Sequence, residues 1–170
     1  MKPTAIVYTS NTGFTAQYAA ILAQKTGLPA FSLDVSNCLS NGSSVIYLGW
    51  LAAGKVQGYD KAAKRFAIQA LCAVGMAASG TQLEDVQKAN AIPEGLPVFT
   101  LQGGFDLKRL RGVYKLMMTV MSKTVAKKLA QKTDRTAEEE DMLDLFRNGG
   151  NRVSEGNLAP VLAWYEGEAE

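Results

Sequence analysis

The 170-residue sequence contains no histidine and only two cysteines, Cys38 and Cys72. Without histidine, the chain lacks the most common general base near neutral pH, the most common metal ligand and the usual haem ligand. The two cysteines have neither the spacing of a metal site nor the number that a disulfide framework needs. We therefore expect no metal site and no catalytic side chain, and infer that a bound cofactor supplies any chemistry.

The sequence also lacks a hydrophobic run of the roughly 20 residues that cross a membrane. No secretory signal follows Met1. Hydrophobic residues make up 47% of the chain and charged residues 20%, which is typical of a globular protein. We therefore predict a single domain over residues 1–170, located in the cytoplasm.

Short apolar segments alternate with segments of helical periodicity over the first hundred or so residues. The predicted strands cover residues 4–9, 29–34, 44–50, 70–75 and 96–102, and the helices between them cover 16–25, 60–69 and 81–91. Such alternation favours a parallel sheet with helices on both faces. The sequence therefore predicts a doubly wound α/β fold.

A helical insert is predicted after the fifth strand, beginning with a long helix over residues 110–132. Its apolar positions step by three and four residues, so we expect the rest of the protein to cover this stripe. The stripe consists of Leu110, Val113, Tyr114, Met117, Val120, Met121, Val125 and Leu129. A second helix is expected to begin at a capping box of Thr136 and Glu139 and to end near Asn148.

The loop after the first strand reads Ser10-Asn11-Thr12-Gly13-Phe14-Thr15, and a helix begins within it. The free N–H groups and positive dipole end of a helix amino terminus stabilise an anion. Three hydroxyl groups would add donors, and Gly13 would let the backbone approach the ligand without a Cβ atom. A hydroxyl group at such a position often only caps a helix, but one cap accounts for one of the three. We therefore predict a phosphate-binding loop.

The same loop lacks the lysine of a nucleoside-triphosphate P-loop and the three glycines of a dinucleotide fingerprint, so a mononucleotide is the favoured ligand. Its Ser-x-Thr-Gly-x-Thr pattern resembles the phosphate loop of flavodoxins. Val74-Gly75 at the end of the fourth strand, the methionine-rich helix after the fifth and the closing segment 157–162 extend the resemblance over nearly the whole chain. Together they resemble the flavodoxin-domain subfamily that includes the flavin-dependent protoporphyrinogen oxidases of bacteria.

This resemblance implies a five-stranded sheet in the order 2-1-3-4-5 and FMN as the cofactor, bound beyond the carboxyl ends of the strands. The first loop would hold the phosphate through Ser10, Asn11, Thr12, Gly13, Phe14 and Thr15. Later loops would hold the flavin ring through Trp50, Leu51, Ala52, Ala53, Gly54, Gly75, Met76, Gln102 and Gly103. Trp50 is expected either to stack on the ring or to finish its strand as a core residue.

Charge is segregated along the chain. Residues 106–133 contain eight lysines and arginines and one acidic residue, whereas the remainder contains ten basic and fifteen acidic residues. Residues 108–132 would attract an acidic partner or an anionic membrane surface, or they would simply form a solvated face. Nucleic acid is not expected as a partner, because no recognition motif accompanies the charge.

We therefore expect an FMN-binding redox protein that transfers electrons to or from a partner protein or a small-molecule substrate. One alternative is a flavin-dependent oxidoreductase resembling protoporphyrinogen oxidase, peripheral to the membrane, whose insert helps to hold a large apolar substrate. The other is a flavodoxin-fold module that acts through protein contacts without flavin. The loop over residues 75–80 favours this last alternative, because it offers no aromatic residue to a flavin ring.

Overall fold

A computed structural model describes residues 1–167. A six-stranded sheet lies at the centre of the fold. Its strands are β1 (Ala5–Tyr8), β2 (Ala30–Ser32), β3 (Ser44–Ala52), β4 (Lys55–Val56), β5 (Ala67–Gly75) and β6 (Val98–Gln102). Five strands are parallel in the order β2-β1-β3-β5-β6, and the short β4 forms an antiparallel hairpin with β3. The predicted order 2-1-3-4-5 and the doubly wound, flavodoxin-like fold class are thus confirmed.

Helices cover both faces of the sheet, as predicted. They are α1 (Phe14–Thr26), α2 (Tyr59–Ala63), α3 (Leu83–Ala89), α4 (Gly112–Gln131), α5 (Ala137–Asn148) and α6 (Ala159–Glu166). On one face, α1 and α6 bury Leu22 and Val161 against the strands, whereas α2 and α3 bury Ala62 and Val86 on the other face. Successive strand residues point to opposite faces, so the apolar run of β3 contributes to both cores.

The register of the parallel strands brings four loops to one edge of the sheet. Tyr8 lies beside Leu48, Trp50 beside Val74, and Gly75 beside Gln102. The carboxyl ends of β1, β3, β5 and β6 therefore lie side by side. In an open parallel sheet, this is the edge at which ligands bind.

Two predicted elements differ from those observed. The helix predicted over residues 60–69 ends at Ala63, and β5 already begins at Ala67. Ala67 pairs with Ser44 in the sheet. Hydrogen bonding to β3 therefore determines the structure of this segment, although its local periodicity suggests a helix. The second strand is also shorter than predicted, because a 3₁₀ segment, Leu33–Cys38, replaces its end.

The predicted insert consists of α4 and α5, which lie between β6 and α6 in the chain. Two short antiparallel strands, β7 (Gly104–Phe105) and β8 (Gly150–Asn151), join its ends. The capping box is confirmed: Thr136 Oγ1 accepts from the Glu139 amide at 3.2 Å, and the Glu139 carboxylate accepts from the Thr136 amide at 3.0 Å. Phe105, Leu110 and Leu145 form a small separate core beneath the insert.

The apolar stripe of α4 is covered only in part, so the prediction that the protein covers it is wrong for the outer residues. Val113 and Val120 of the stripe are 72% and 61% exposed, and Leu116 beside it is 68% exposed. The only buried residue of α4 is Ser122. The reason is that α4 packs mainly against α5, so one side of it is left facing solvent. Within residues 1–167, no helix has both the length and the apolar character needed to cross a bilayer.

Candidate functional site

A cleft of about 480 Å³ opens at the carboxyl edge of the sheet. The loops after β1, β3, β5 and β6 line one side of the cleft, and α4 and α5 line the other. The cleft brings together 12 of the 15 residues that the sequence predicts for the site. These are Asn11, Thr12, Phe14, Thr15, Trp50, Leu51, Ala52, Ala53, Gly54, Gly75, Met76 and Gly103. The other three, Ser10, Gly13 and Gln102, lie outside its lining.

Ser10 organises the loop between β1 and α1. Its hydroxyl oxygen accepts from the Gly13 amide at 3.2 Å and from the Ala16 amide at 3.3 Å. Ser10 thus satisfies two of the backbone amides at the start of α1, which is the role that one capping hydroxyl group would have. The Gln17 amide donates to the Gly13 carbonyl at 3.1 Å, so the first-turn amides left for a ligand are those of Phe14 and Thr15.

An arginine from the segment before α4 lies against this loop. Arg109 Nη1 donates to the Thr12 carbonyl at 3.2 Å, and a Cβ atom on Gly13 would lie 3.3 Å from the same nitrogen. Gly13 also has a φ of +99°, which side chains rarely adopt. Lys108 and Arg111 border the outer side of the loop together with Arg109. Three basic residues therefore border one side of the loop, and Arg109 is itself paired with Asp106 at 3.3 Å. Sequence reasoning about residues 10–15 did not include them.

Trp50 lies at the end of β3, half-buried, on the wall of the cleft. The ring of Tyr114 from α4 packs edge-on against it, with ring centroids 5.0 Å apart and an interplanar angle of 79°. The Tyr114 hydroxyl donates to Gln57 Oε1 at 3.4 Å. The loop after β5 has no aromatic residue, and the aromatic side chain that packs against Trp50 comes from the insert. Sequence analysis placed Tyr114 only in the apolar stripe of its helix.

A tight turn at Ala53 and Gly54 joins β3 to β4 at the rim of the cleft. Both residues have positive φ, +49° and +77°. A two-residue hairpin turn needs such values to match the right-handed twist of its strands. Asn90 braces this turn from behind: its Nδ2 donates to the Gly54 carbonyl at 2.9 Å, and its Oδ1 accepts from the Val56 amide at 2.8 Å. Sequence analysis missed Asn90, because its partners are 34 to 36 residues away along the chain.

Gln102 braces the cleft instead of lining it. Its side-chain amide donates to the Met76 carbonyl at 3.1 Å and to Asp141 Oδ2 at 2.7 Å. Arg152 donates from Nε to Asp141 Oδ1 and from Nη2 to Asp144 Oδ2, both at 2.8 Å. These bonds connect the loop after β5, the end of β6 and helix α5, so they fix the insert relative to the sheet.

The end of β6 is also held from below by a buried phenol. The Tyr18 hydroxyl donates to the Gln102 carbonyl at 2.5 Å and accepts from Asn157 Nδ2 at 2.7 Å. Burial raises the pKa of Tyr18, so the phenol is neutral at physiological pH. The residue is therefore a structural donor and not a source of charge for the cleft.

The described part of the chain offers little reactive chemistry of its own. Within residues 1–167, no cluster of three or more His, Cys, Asp or Glu side chains could hold a metal ion. Cys72 is fully buried, and burial raises the pKa of its thiol to about 12, so it carries no thiolate at neutral pH. The cleft thus combines the amino terminus of α1 with a mostly apolar lining.

No family model, curated protein or solved structure matches the chain. The resemblance to flavodoxins therefore depends on the motif residues and on the fold itself. The Ser10–Thr15 motif lies at the carboxyl end of β1, and the sheet has the strand order that the resemblance implies.

Proposed function

We propose that this protein binds FMN and transfers electrons through the flavin, as a cytoplasmic flavodoxin-like redox protein. The observation that carries the proposal is the position of residues 10–15. They join β1 to α1 at the edge where the parallel strands end, and four of them line the apolar cleft formed with the later loops. One ligand with a phosphate at one end and a planar ring at the other would use both parts.

The loop suits a phosphate monoester. The free amides of Phe14 and Thr15 lie at the positive end of the α1 dipole, and the Thr12 hydroxyl is available at the cleft wall. The loop contains no acidic residue, and the guanidinium of Arg109, which is also paired with Asp106, lies beside Thr12. The missing Cβ of Gly13 keeps open the space between the loop and the Arg109 guanidinium.

The cleft suits an isoalloxazine ring. Its volume of about 480 Å³ lies within the range of roughly 300–1,000 Å³ that small-molecule sites occupy. The indole of Trp50 offers a flat apolar face, and the backbone of Ala52, Ala53 and Gly54 offers polar groups at the rim. FMN, when bound, would supply one- and two-electron redox chemistry.

The residues of the chain would position and tune the cofactor. Residues 10–15 would fix its phosphate end, and Asn90 would hold the turn at the rim in one conformation. Trp50 and Tyr114 would exclude water from one side of the cleft. Such apolar and hydrogen-bonding surroundings set the potential of a flavin without a reactive side chain.

A second candidate function is that of an FMN-dependent oxidoreductase with an apolar organic substrate. The specific observation is the insert side of the cleft, which is lined by Met117, Met118, Met121 and Met142. Methionine side chains adapt to ligands of irregular shape. This is the part of the chain in which the resemblance to protoporphyrinogen oxidases implies a substrate contact.

The proposal is tested by purifying the protein, extracting its cofactor and titrating the flavin anaerobically with a reductant. We expect one FMN per chain and reversible reduction, with electrons passed to a soluble acceptor in the absence of an organic substrate. Flavin-dependent consumption of a porphyrinogen by the isolated protein would favour the second candidate. A colourless protein that takes up no FMN would contradict both, and would favour a module that acts through protein contacts.

A further inference from the structure

The outer face of α4 carries a patch of exposed apolar side chains, which we call the α4 patch. It consists of Val113, Leu116 and Val120, with the less exposed Met117 and Met121 at its edge, where they also line the cleft. Residues three and four positions apart lie on the same side of a helix, so Val113, Leu116 and Val120 form one continuous surface. Single exposed apolar residues are ordinary, but a contiguous apolar surface on a folded protein indicates a contact with another surface.

Lysines continue the same face toward the end of the helix. At 100° per residue, Lys127 lies in the middle of the outer face, between the directions of Leu116 and Val120. Lys123 and Lys128 lie on the two borders of that face. All three are exposed, and none forms an ion pair with an acidic side chain among residues 1–167. The outer face of α4 is therefore apolar over residues 113–121 and basic over residues 123–128.

This face suits docking on an anionic bilayer, because lysine side chains are long enough to place their charges at the interface beside apolar residues. In helices that lie on a bilayer, the apolar side chains enter the boundary between headgroups and acyl chains, and lysines remain at the level of the phosphates. A helix of 20 residues, about 30 Å long, presents both parts to one plane. The remainder of the chain outside residues 106–133 is acidic, so a negatively charged surface would also select which side of the protein approaches it.

A second copy of the chain fits the α4 patch less well. Two α4 helices packed through their outer faces would bring Lys123, Lys127 and Lys128 close to the same lysines of the partner helix. Like charges in contact oppose such pairing. The charge on this face favours an occupant that is itself negative.

We propose that the outer face of α4 docks on an anionic lipid bilayer, with Val113, Leu116 and Val120 in the interface and the three lysines at the phosphates. The inner side of the same helix lines the cleft through Tyr114, Met118 and Val125. Docking would therefore place the cleft next to the membrane surface. This inference does not depend on the identity of the cofactor.

The test is co-sedimentation of the full chain with phosphatidylcholine vesicles prepared with and without phosphatidylglycerol. We expect binding to the vesicles that contain phosphatidylglycerol and loss of that binding at high salt. Each basic side chain near such a surface contributes about 1 kcal/mol, so K123E/K127E/K128E should lower the partition coefficient by about 100-fold or more.

The matched control is K61E/K64E/K88E, which makes the same change in net charge with exposed lysines of α2, the residue after it, and α3. The control should bind within about threefold of the wild type, because these lysines do not belong to the outer face of α4, and Lys61 and Lys88 are already paired with acidic side chains. A second variant, V113S/L116S/V120S, removes only apolar surface and should also lose binding. All the substituted residues are exposed, so circular dichroism should show that each variant folds.

Four outcomes would overturn the proposal. One is that the wild type stays in the supernatant with the anionic vesicles. The second is that the control reversal weakens binding as much as the α4 reversal, and the third is that the serine variant binds as tightly as the wild type. The fourth is a wild-type dimer in sedimentation that the serine variant converts to a monomer, which would assign the α4 patch to a second copy of the chain.

Discussion

Two of the helices that border the cleft, α1 and α4, are built in opposite ways. The first, α1, begins at residues 10–15 and buries Phe14, Tyr18 and Leu22 against the sheet, with Lys25 as its only charged residue. In contrast, α4 carries four lysines and leaves Leu116 68% exposed. The comparison teaches that the predicted phosphate end of the cleft belongs to the core of the fold. The outer apolar residues of α4, however, are mostly exposed and are free to make other contacts.

The largest contrast is expected from the same substitution in both helices. Leu22→Ala should lower the free energy of unfolding by about 2–5 kcal/mol, because Leu22 is fully buried beside β-strand residues. Leu116→Ala should change it by less than about 0.5 kcal/mol, because that side chain is mostly exposed. Urea unfolding of both variants measures the difference. Equal losses would show that Leu116 belongs to the core and that the contrast between the two helices is wrong.

The next contrast concerns ligand binding. Thr12→Glu should weaken FMN binding by about 100-fold, or about 3 kcal/mol, because the new carboxylate repels the phosphate and fills its place. Thr124→Glu makes the same change on the exposed side of α4 and should leave the affinity unaltered. Fluorescence titrations of the two variants with FMN give the comparison. Equal affinities would contradict the assignment of residues 10–15 to the phosphate.

A pH series tests the burial of two side chains in the core of the sheet. Burial raises the pKa of Cys72 and of Tyr47 to about 12. Both groups therefore bind their protons more tightly in the folded state, so stability is fully present below their unfolded pKa values and falls as the pH rises toward 12. At about pH 10.5, Cys72 alone should account for a loss of about 2 kcal/mol relative to neutral pH.

Urea unfolding at neutral pH and at about pH 10.5 tests this prediction, with Cys72→Ala as the second sample. The variant should lose much less stability on going to high pH, while it keeps the smaller decline that Tyr47 causes. An unchanged decline in Cys72→Ala would mean that the thiol of the folded protein titrates near its ordinary pKa.

The smallest contrast concerns two positive charges. Arg109→Gln should lower the affinity for FMN by about fivefold, or roughly 1 kcal/mol, because an exposed cation beside the loop is screened by solvent. Lys123→Gln removes the same charge on α4 and should have no measurable effect. Isothermal titration at two salt concentrations would show the difference shrinking as salt is added. A larger effect from Lys123 than from Arg109 would reverse the roles of the two segments.

The parts of the structure that sequence predicts well are local or repetitive. Strand and helix alternation predicts the doubly wound sheet, and the Thr136–Glu139 spacing predicts a cap that forms between two neighbouring turns. Residues 10–15 are contiguous, so their position after β1 follows once the strand is identified. In each case, the signal and its structural cause lie within a few residues of each other.

The parts that sequence does not predict depend on distant contacts. Arg109 reaches Thr12 from 97 residues away, and Asn90 braces a turn formed by residues 53 and 54. Periodicity shows that α4 has an apolar stripe, but it carries no information about what covers that stripe. For the same reason, the pattern at residues 60–69 suggests a helix where pairing with β3 makes part of the segment a strand.

The central claim is that residues 10–15 hold the phosphate of FMN, and titration of the apo-protein with FMN and with riboflavin tests it most directly. Riboflavin has the same ring and lacks only the phosphate. We predict that FMN binds tightly, as followed by quenching of its fluorescence, and that riboflavin binds at least about 100-fold more weakly. Thr12→Glu should remove this difference in affinity. If neither flavin binds, or if both bind equally well, residues 10–15 are not a flavin phosphate site and the claim is wrong.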